Sequence, residues 1–240
     1  MFFKKILKSI LMPAKQSGRL RDNGAYCDCT QTVDTLLKHY KPKILFDIGA
    51  HNGDWSQIVL ESLHEDITIA LFEPQKIHFS EIVKLFNNKK NKYLFNLALG
   101  NSSCTSHIKG GGASASLLDA SDLQNSTFPG SFDVDKLEEV EVLTLDEVIA
   151  KNHLVSPDVI KIDVQGFELD VFKGAVKTLP GVKYIVAELS FIHLYKNQPS
   201  LTELLQFLEK NNFVIVDFGY QWRNEKNELI QVDAIFKNSN

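Results

Sequence analysis

A chain of 240 residues, 44% of them hydrophobic and 16 of them phenylalanine, suffices for one α/β domain that buries roughly 70–75% of its unfolded surface without disulfides or a metal. Its 26 basic and 30 acidic residues give a net charge of -4, which argues against a phosphate-coating surface and so against nucleic acid as partner. Cys27, Cys29 and Cys104 are an odd, scattered set that fits a reducing, cytoplasmic compartment, and Cys27-Asp28-Cys29 is too tight for an ordinary zinc pair.

Residues 1–40 are predicted as an N-terminal helical extension. Phe3, Ile6, Leu7, Ile10 and Leu11 recur at helical spacing, with Lys4, Lys5 and Lys8 on the other side. The run falls short of the ~20 apolar residues of a membrane span, and no small-residue cleavage site precedes Pro13. This face is expected to pack on the domain or on a second copy in a homodimer, with weak membrane-surface contact as the alternative. A second helix is predicted over 30–40.

From residue 41 to 240 short apolar runs alternate with amphipathic segments. Strands are predicted at 44–46, 67–72, 93–99, 139–143, 159–162, 182–189, 213–218 and 230–236. Helices are predicted at 55–63, 74–86, 145–151 behind the cap Thr144, 168–179 and 201–211. The alternation predicts a doubly wound α/β fold around a mostly parallel sheet. The polar stretch 219–228 is too short for a crossover helix, so the last two strands pair antiparallel at the end of the sheet. Residues 100–134, rich in Gly, Ser and Asp, read as irregular and are expected to overhang the binding crevice and select its ligand.

Asp47-Ile48-Gly49-Ala50-His51-Asn52-Gly53-Asp54 follows the first strand and opens a helix. Glycines there allow a tight turn and close backbone approach, at the carboxyl edge where α/β sheets bind ligands. A dinucleotide site would have a glycine where Asp47 stands, and its pyrophosphate would be repelled by that carboxylate. A ligand carrying ammonium and sulfonium charges is favoured there, which points to S-adenosylmethionine over NAD. Glu73, ending the second strand some twenty residues after the turn, is placed to accept both ribose hydroxyls. Alternatively it is an acid at a helix start. Asn96 and Ala98 are expected beside the adenine. Cofactor contacts are therefore expected from Asp47, Gly49, Ala50, Asn52, Gly53, Glu73, Asn96, Ala98 and Asp163.

A second polar cluster, Lys161, Asp163, Gln165 and Glu168, lies where a buried strand becomes a helix. Burying such groups costs free energy unless they are paired or used, and Asp163 is expected to face the methyl donor. Glu168 reads either as catalytic or as a cap on free N–H groups. Glu188 ends the next strand, and His193 just beyond it is the rival general base.

Three stretches together resemble the FkbM family of S-adenosylmethionine-dependent methyltransferases. They are residues 44–53 with Phe72-Glu73-Pro74, then Lys161-Ile-Asp163-Val-Gln165-Gly166-Phe-Glu168 with Lys173-Gly174-Ala175, and last Ala187-Glu188 with Gln231-Val-Asp-Ala-Ile-Phe236. The resemblance covers about residues 43–237. It implies a seven-stranded class I methyltransferase fold, Rossmann-like, with an antiparallel last strand. It also implies O-methylation of a small molecule, sugar or lipid-linked glycan. Family members usually carry Glu where this chain has Gln165, so roles needing that carboxylate are unavailable here. On this reading Asp163 is the general base, and a Mg²⁺ bridging it to the acceptor hydroxyl is secondary. Two other function classes stay open: a nicotinamide-dependent oxidoreductase, and a cofactor-binding module of the same fold without turnover.

Overall fold

The computed structural model describes residues 36–63 and 67–240. The predicted helix within residues 1–12, most of that over 30–40, and Cys27 and Cys29 lie outside them. Residues 36–40 are helical, with Leu37 buried and Tyr40 edge-on to Tyr184 at 4.8 Å between ring centroids.

The main sheet begins with β1 (Ile44–Ile48), β2 (Thr68–Phe72) and β3 (Lys92–Phe95), linked by α1 (Asp54–Leu63) and α2 (Lys76–Leu85). After an inserted segment it resumes with β7 (Val159–Ile162) and β8 (Tyr184–Ser190), and it ends with β9 (Phe213–Arg223) and β10 (Leu229–Asn238). The helices of this half are α5 (Glu168–Lys173) and α6 (Leu201–Lys210). The seven strands lie in the order β3-β2-β1-β7-β8-β10-β9, so the chain reverses direction across the sheet between β1 and β7. The first five pair in parallel, whereas β10 is antiparallel to both β8 and β9. This is the doubly wound, class I methyltransferase arrangement.

Strand alternation divides the core between the two faces of the sheet. Phe46, Ile48, Phe72, Ile160 and Ile185 pack on one side with α5 and α6. Leu45, Ile69, Leu71, Val159 and Ile235 pack on the other against Val59 and Leu60 of α1 and Ile82 of α2. Buried Ser56, Val59, Leu60 and Leu63 fall three or four apart along α1, which is why that segment is a helix with one inward face.

Besides β9, which runs on to Arg223 through half of the polar stretch expected to be a connector, the structure departs from the predicted elements in three places. The single strand expected over 93–99 is broken at Asn96-Leu97, and β4 (Ala98–Leu99) leaves the main sheet for a three-stranded one, ordered β4-β6-β5. The segment expected to be irregular supplies β5 (Cys104–Gly110) and α3 (Asp122–Thr127), and β6 spans Asp133–Leu143. Its polar residues hid a two-stranded ribbon whose outer face is solvated. Last, the helix expected over 168–179 stops at Lys173, where Gly174 caps it. Beyond it Asp146 accepts the N–H of Lys177 at 2.9 Å and that of Thr178 at 3.0 Å, so these two groups are satisfied outside a helix.

Thr144 starts α4 (Leu145–Asn152) with a full capping box: its hydroxyl accepts the Glu147 N–H, and the Glu147 carboxylate accepts the Thr144 N–H. Thr144→Ala is expected to lower the unfolding free energy by about 1 kcal/mol in urea titrations, with the denaturant slope unchanged.

Candidate functional site

A cavity of about 920 Å³ opens at the carboxyl ends of the central parallel strands, roofed by residues 112–117. It lies where the strand order reverses, the place where open α/β sheets bind ligands.

The turn after β1 forms part of its floor. The N–H groups of Gly49 and Ala50 both donate to the Phe72 carbonyl at 3.0 Å. Gly49 has φ +76, and a Cβ there would sit 1.9 Å from the Asp163 carbonyl oxygen, so only glycine lets the turn lie against the end of β7. Gly49, Ala50 and Asn52 line the cavity. Gly53 does not: a Cβ on it would meet the Phe86 ring at 2.9 Å, so this glycine serves the packing of α1 on α2.

Asp47 is the main correction to the sequence reading. It is 0% exposed and does not line the cavity. One carboxylate oxygen lies 3.2 Å from Lys161 Nζ and the other accepts the Ser56 hydroxyl at 2.6 Å. Lys161 also donates to the Gly49 carbonyl at 3.0 Å. Burial opposes the lysine's charge, but Asp47 and Asp163 outweigh it and hold its pKa above the usual range.

Glu73 lines the wall at the end of β2 and is 3% exposed. Its Oε2 accepts the His51 N–H and its Oε1 the Gln75 N–H, both at 2.8 Å. Burial pushes its pKa up to about 7 despite these donors. Ala98 with Leu97 and Leu99 forms an apolar slot beside it. Asn96, expected at the adenine, does not line the cavity. Its amide donates to the Glu73 and Pro74 carbonyls at 2.9 Å and holds the strand end in place.

The opposite wall carries Asp163, Gln165, Glu188 and Asp233. The side chain of Asp163 is 36% exposed, and its Oδ2 lies 3.9 Å from Lys161 Nζ. Glu188 and Asp233 face one another across β8 and β10. Burial, with Asp163, Asp233 and Glu168 nearby, lifts Glu188 well above the carboxylate range. Burial and Asp163 lift Asp233 to about 7.

Glu168 and His193, two of the three expected catalytic residues, do not line the cavity. Glu168 is buried and its Oε1 accepts the N–H groups of Val164 and Gly166 at 3.2 Å, which satisfies the loop that precedes α5. His193 is exposed. Sequence reasoning missed Gln75, Ser116, Tyr195 and Asp233. The available signal was a charged residue inside the apolar run of β10. The others come from loops whose approach only the folded chain fixes. Gln75 holds the roof by pairing its amide with both backbone groups of Gly112 at 2.9 and 3.0 Å.

Residues 47–215 match the Methyltransferase FkbM domain. The chain belongs to the FkbM methyltransferase family. That membership sets aside the nicotinamide alternative. A 66-residue stretch, 28% of this chain, is 32% identical to the hexuronic acid methyltransferase AglP of Haloferax volcanii and spans 26% of that protein. In fold, the family member from Methylobacillus flagellatus KT aligns over 81% of this chain and 43% of its own, with a TM-score of 0.50 and 13% identity. A putative O-methyltransferase from Klebsiella pneumoniae aligns over 98% and 96%, with a TM-score of 0.50 and 10% identity. This FkbM-family chain thus spans less than half the length of the first two relatives. Among its described residues, no three His, Cys, Asp or Glu side chains form a metal-binding group, and no helix is long and apolar enough to cross a membrane.

Breaking the buried ion pair should destabilise the family fold at its centre. Lys161→Met, which leaves Asp47 charged and alone, is expected to lower the unfolding free energy by about 3–5 kcal/mol in denaturant titration. Burial places Glu168 near 7 in the folded protein against an ordinary 4.5. A carboxyl raised by folding contributes its stability below the unfolded value and loses it as pH climbs through the folded one. Glu73 and Asp233 act in the same direction. Melting temperature should therefore fall between about pH 4.5 and pH 7. Glu168→Gln, which keeps an acceptor for the loop N–H groups, should flatten that fall in differential scanning calorimetry.

Proposed function

We propose that this chain binds S-adenosylmethionine in the cavity and transfers its methyl group to a hydroxyl oxygen of a sugar, glycan or other small molecule. The methyltransferase domain is taken as residues 41–240, with 1–40 as an extension. The observation that carries the reading is Glu73, a buried carboxylate oriented by the N–H groups of His51 and Gln75 and opening on a slot lined by Leu97, Ala98 and Leu99.

The residues present fit the cofactor. The Glu73 carboxylate takes the N–H groups of His51 and Gln75 and feels the Gln75 side chain, and of its roughly four acceptor sites it keeps room for a ribose hydroxyl. The apolar slot suits an adenine ring. The turn at Gly49 and Ala50 runs along the floor between that slot and Asp163, where the methionine part would lie. The cationic end of the ligand would meet Asp163, Glu188 and Asp233, because Lys161 already takes up the charge of Asp47. Bound there, the cofactor supplies a methyl group on a sulfonium, a leaving group that departs neutral.

The chain's own task is then to align an acceptor in line with that methyl group and remove a proton from it. Asp163, a part-buried carboxylate on the cavity wall beyond β7, is assigned as the base. An alcohol needs such a base, which favours oxygen as the site of transfer. A wall of carboxylates and amides suits the many hydroxyl donors of a sugar, and the Haloferax volcanii relative is named for methylating a hexuronic acid.

S-adenosylhomocysteine should bind in titration calorimetry, and Glu73→Ala should weaken it by about tenfold or more, some 1.4 kcal/mol. Absence of binding at any accessible concentration refutes the assignment. Ribose hydroxyls donate to the ionised form of Glu73, so affinity should be up to about tenfold higher at pH 8 than at pH 6, and Glu73→Gln should reduce that dependence to the part that Glu188 and Asp233 supply. Asp163→Asn should lose transfer of labelled methyl to a panel of methyl hexosides and hexuronides even at S-adenosylmethionine concentrations that saturate the variant. Full turnover in that variant would remove Asp163 as base.

A further inference from the structure

Gln165 stands in the left-handed region with φ +56, followed by Gly166 at +93. Side chains rarely adopt that conformation without an external constraint. Here the constraint comes from the roof: the Ser116 hydroxyl donates to the Gln165 carbonyl at 2.8 Å. The turn aims the side chain back at the carboxylate wall. Its amide nitrogen donates to Asp163 Oδ1 at 2.7 Å and to Glu188 Oε2 at 3.3 Å. Its amide oxygen accepts the hydroxyl of Tyr195 at 2.9 Å. Tyr195 is 2% exposed, and the Ser114 carbonyl lies at the same distance from its hydroxyl. A primary amide has two N–H bonds and one carbonyl, and this site uses all of them. The flipped amide would turn its oxygen onto two carboxylates.

We propose that Gln165 is a positioning residue that clamps Asp163 and Glu188 together with its two N–H bonds, is oriented by Tyr195, and leaves Asp163 Oδ2 as the oxygen offered to the acceptor. The link to catalysis rests on the role of Asp163 given above, and the clamp itself does not.

The clamp answers a specific electrostatic problem. The acids that act on Glu188 are Asp163 just past β7, Asp233 of β10 and Glu168 at the head of α5. Lys161 on β7 is the cation that acts on it, and it is already engaged by Asp47 of β1. Gln231 of β10 donates to the same Glu188 oxygen at 2.5 Å. His51 and Tyr195 also lie within reach of the field of Asp163. Neutral donors between like charges stabilise the ionised forms without adding charge. Burial and these neighbours already raise the Glu188 pKa, so losing the amide should raise it further.

The test needs no methyl acceptor. In the full chain labelled with carbon-13 at glutamate side-chain carboxyls, the Glu188 resonance is the one lost in Glu188→Gln. Gln165→Glu, isosteric but without the donor pair, should move the Glu188 titration midpoint upward by about one pH unit or more. Gln165→Met, apolar and of similar length, should move it the same way, and serves if Gln165→Glu does not fold. Tyr195→Phe should give a smaller shift of the same sign. Far-ultraviolet circular dichroism and a cooperative thermal transition report that each variant is folded. A Glu188 midpoint unchanged in folded Gln165→Glu or Gln165→Met overturns the clamp. Turnover surviving in Asp163→Asn would instead remove the base and leave the clamp standing.

Discussion

The buried ammonium of Lys161 is the contact on which the rest of the site depends. Its strand, β7, lies beside β1 with Lys161 in register with Asp47, at the point where the strand order reverses. Parallel strands that meet there have no hairpin to fix them, and a slip of one residue would send every side chain to the other face. An ion pair removed from water is costly unless both partners are fully used. Here Asp47 has Ser56 and Lys161, and Lys161 has Asp47 and the Gly49 carbonyl. The pair ties the strand register to the turn that floors the cavity.

Asp47 is consumed in that pair, and three other acids, Asp163, Glu188 and Asp233, line the cavity wall beyond it. Glu188 and Asp233 are direct cross-strand neighbours, an arrangement of like charges that destabilises a sheet. The chain tolerates it by placing amides among the acids, Gln165 on one side and Gln231 on the other. Several carboxyls are shifted toward neutrality, by burial first and by one another second. A fold optimised for stability alone would not gather acids at a strand end. Such concentration of perturbed carboxyls in a cleft is the mark of a site built for a task.

The small sheet inserted after β3 brings the roof to this wall. Its strands carry residues 112–117 over the cavity, where Gln75 grips Gly112 near Glu73, and Tyr195 and Gln165 meet Ser114 and Ser116 near Asp163. The same short segment therefore reaches both the Glu73 side and the Asp163 side of the cavity. A ligand that moved it would be felt at both.

Much of this was legible in the sequence. Alternating apolar runs fixed the parallel sheet, the polar stretch before the last strand pointed to the antiparallel end, and the turn at Gly49 with Glu73 and Asp163 marked residues that line the cavity, because backbone periodicity and turn chemistry are local properties. What only the tertiary structure decided was which polar groups face the cavity and which face one another. Asp47 faces inward because its partner lies 114 positions along the chain at Lys161. Glu168 turned out to be a loop cap, and His193 was left in solvent. Gln165 became a bridge through Tyr195, Asp163 and Glu188, three residues that no spacing rule brings together. Propensity and periodicity read neighbours along the chain, whereas the charge state and role of a buried acid depend on neighbours in space.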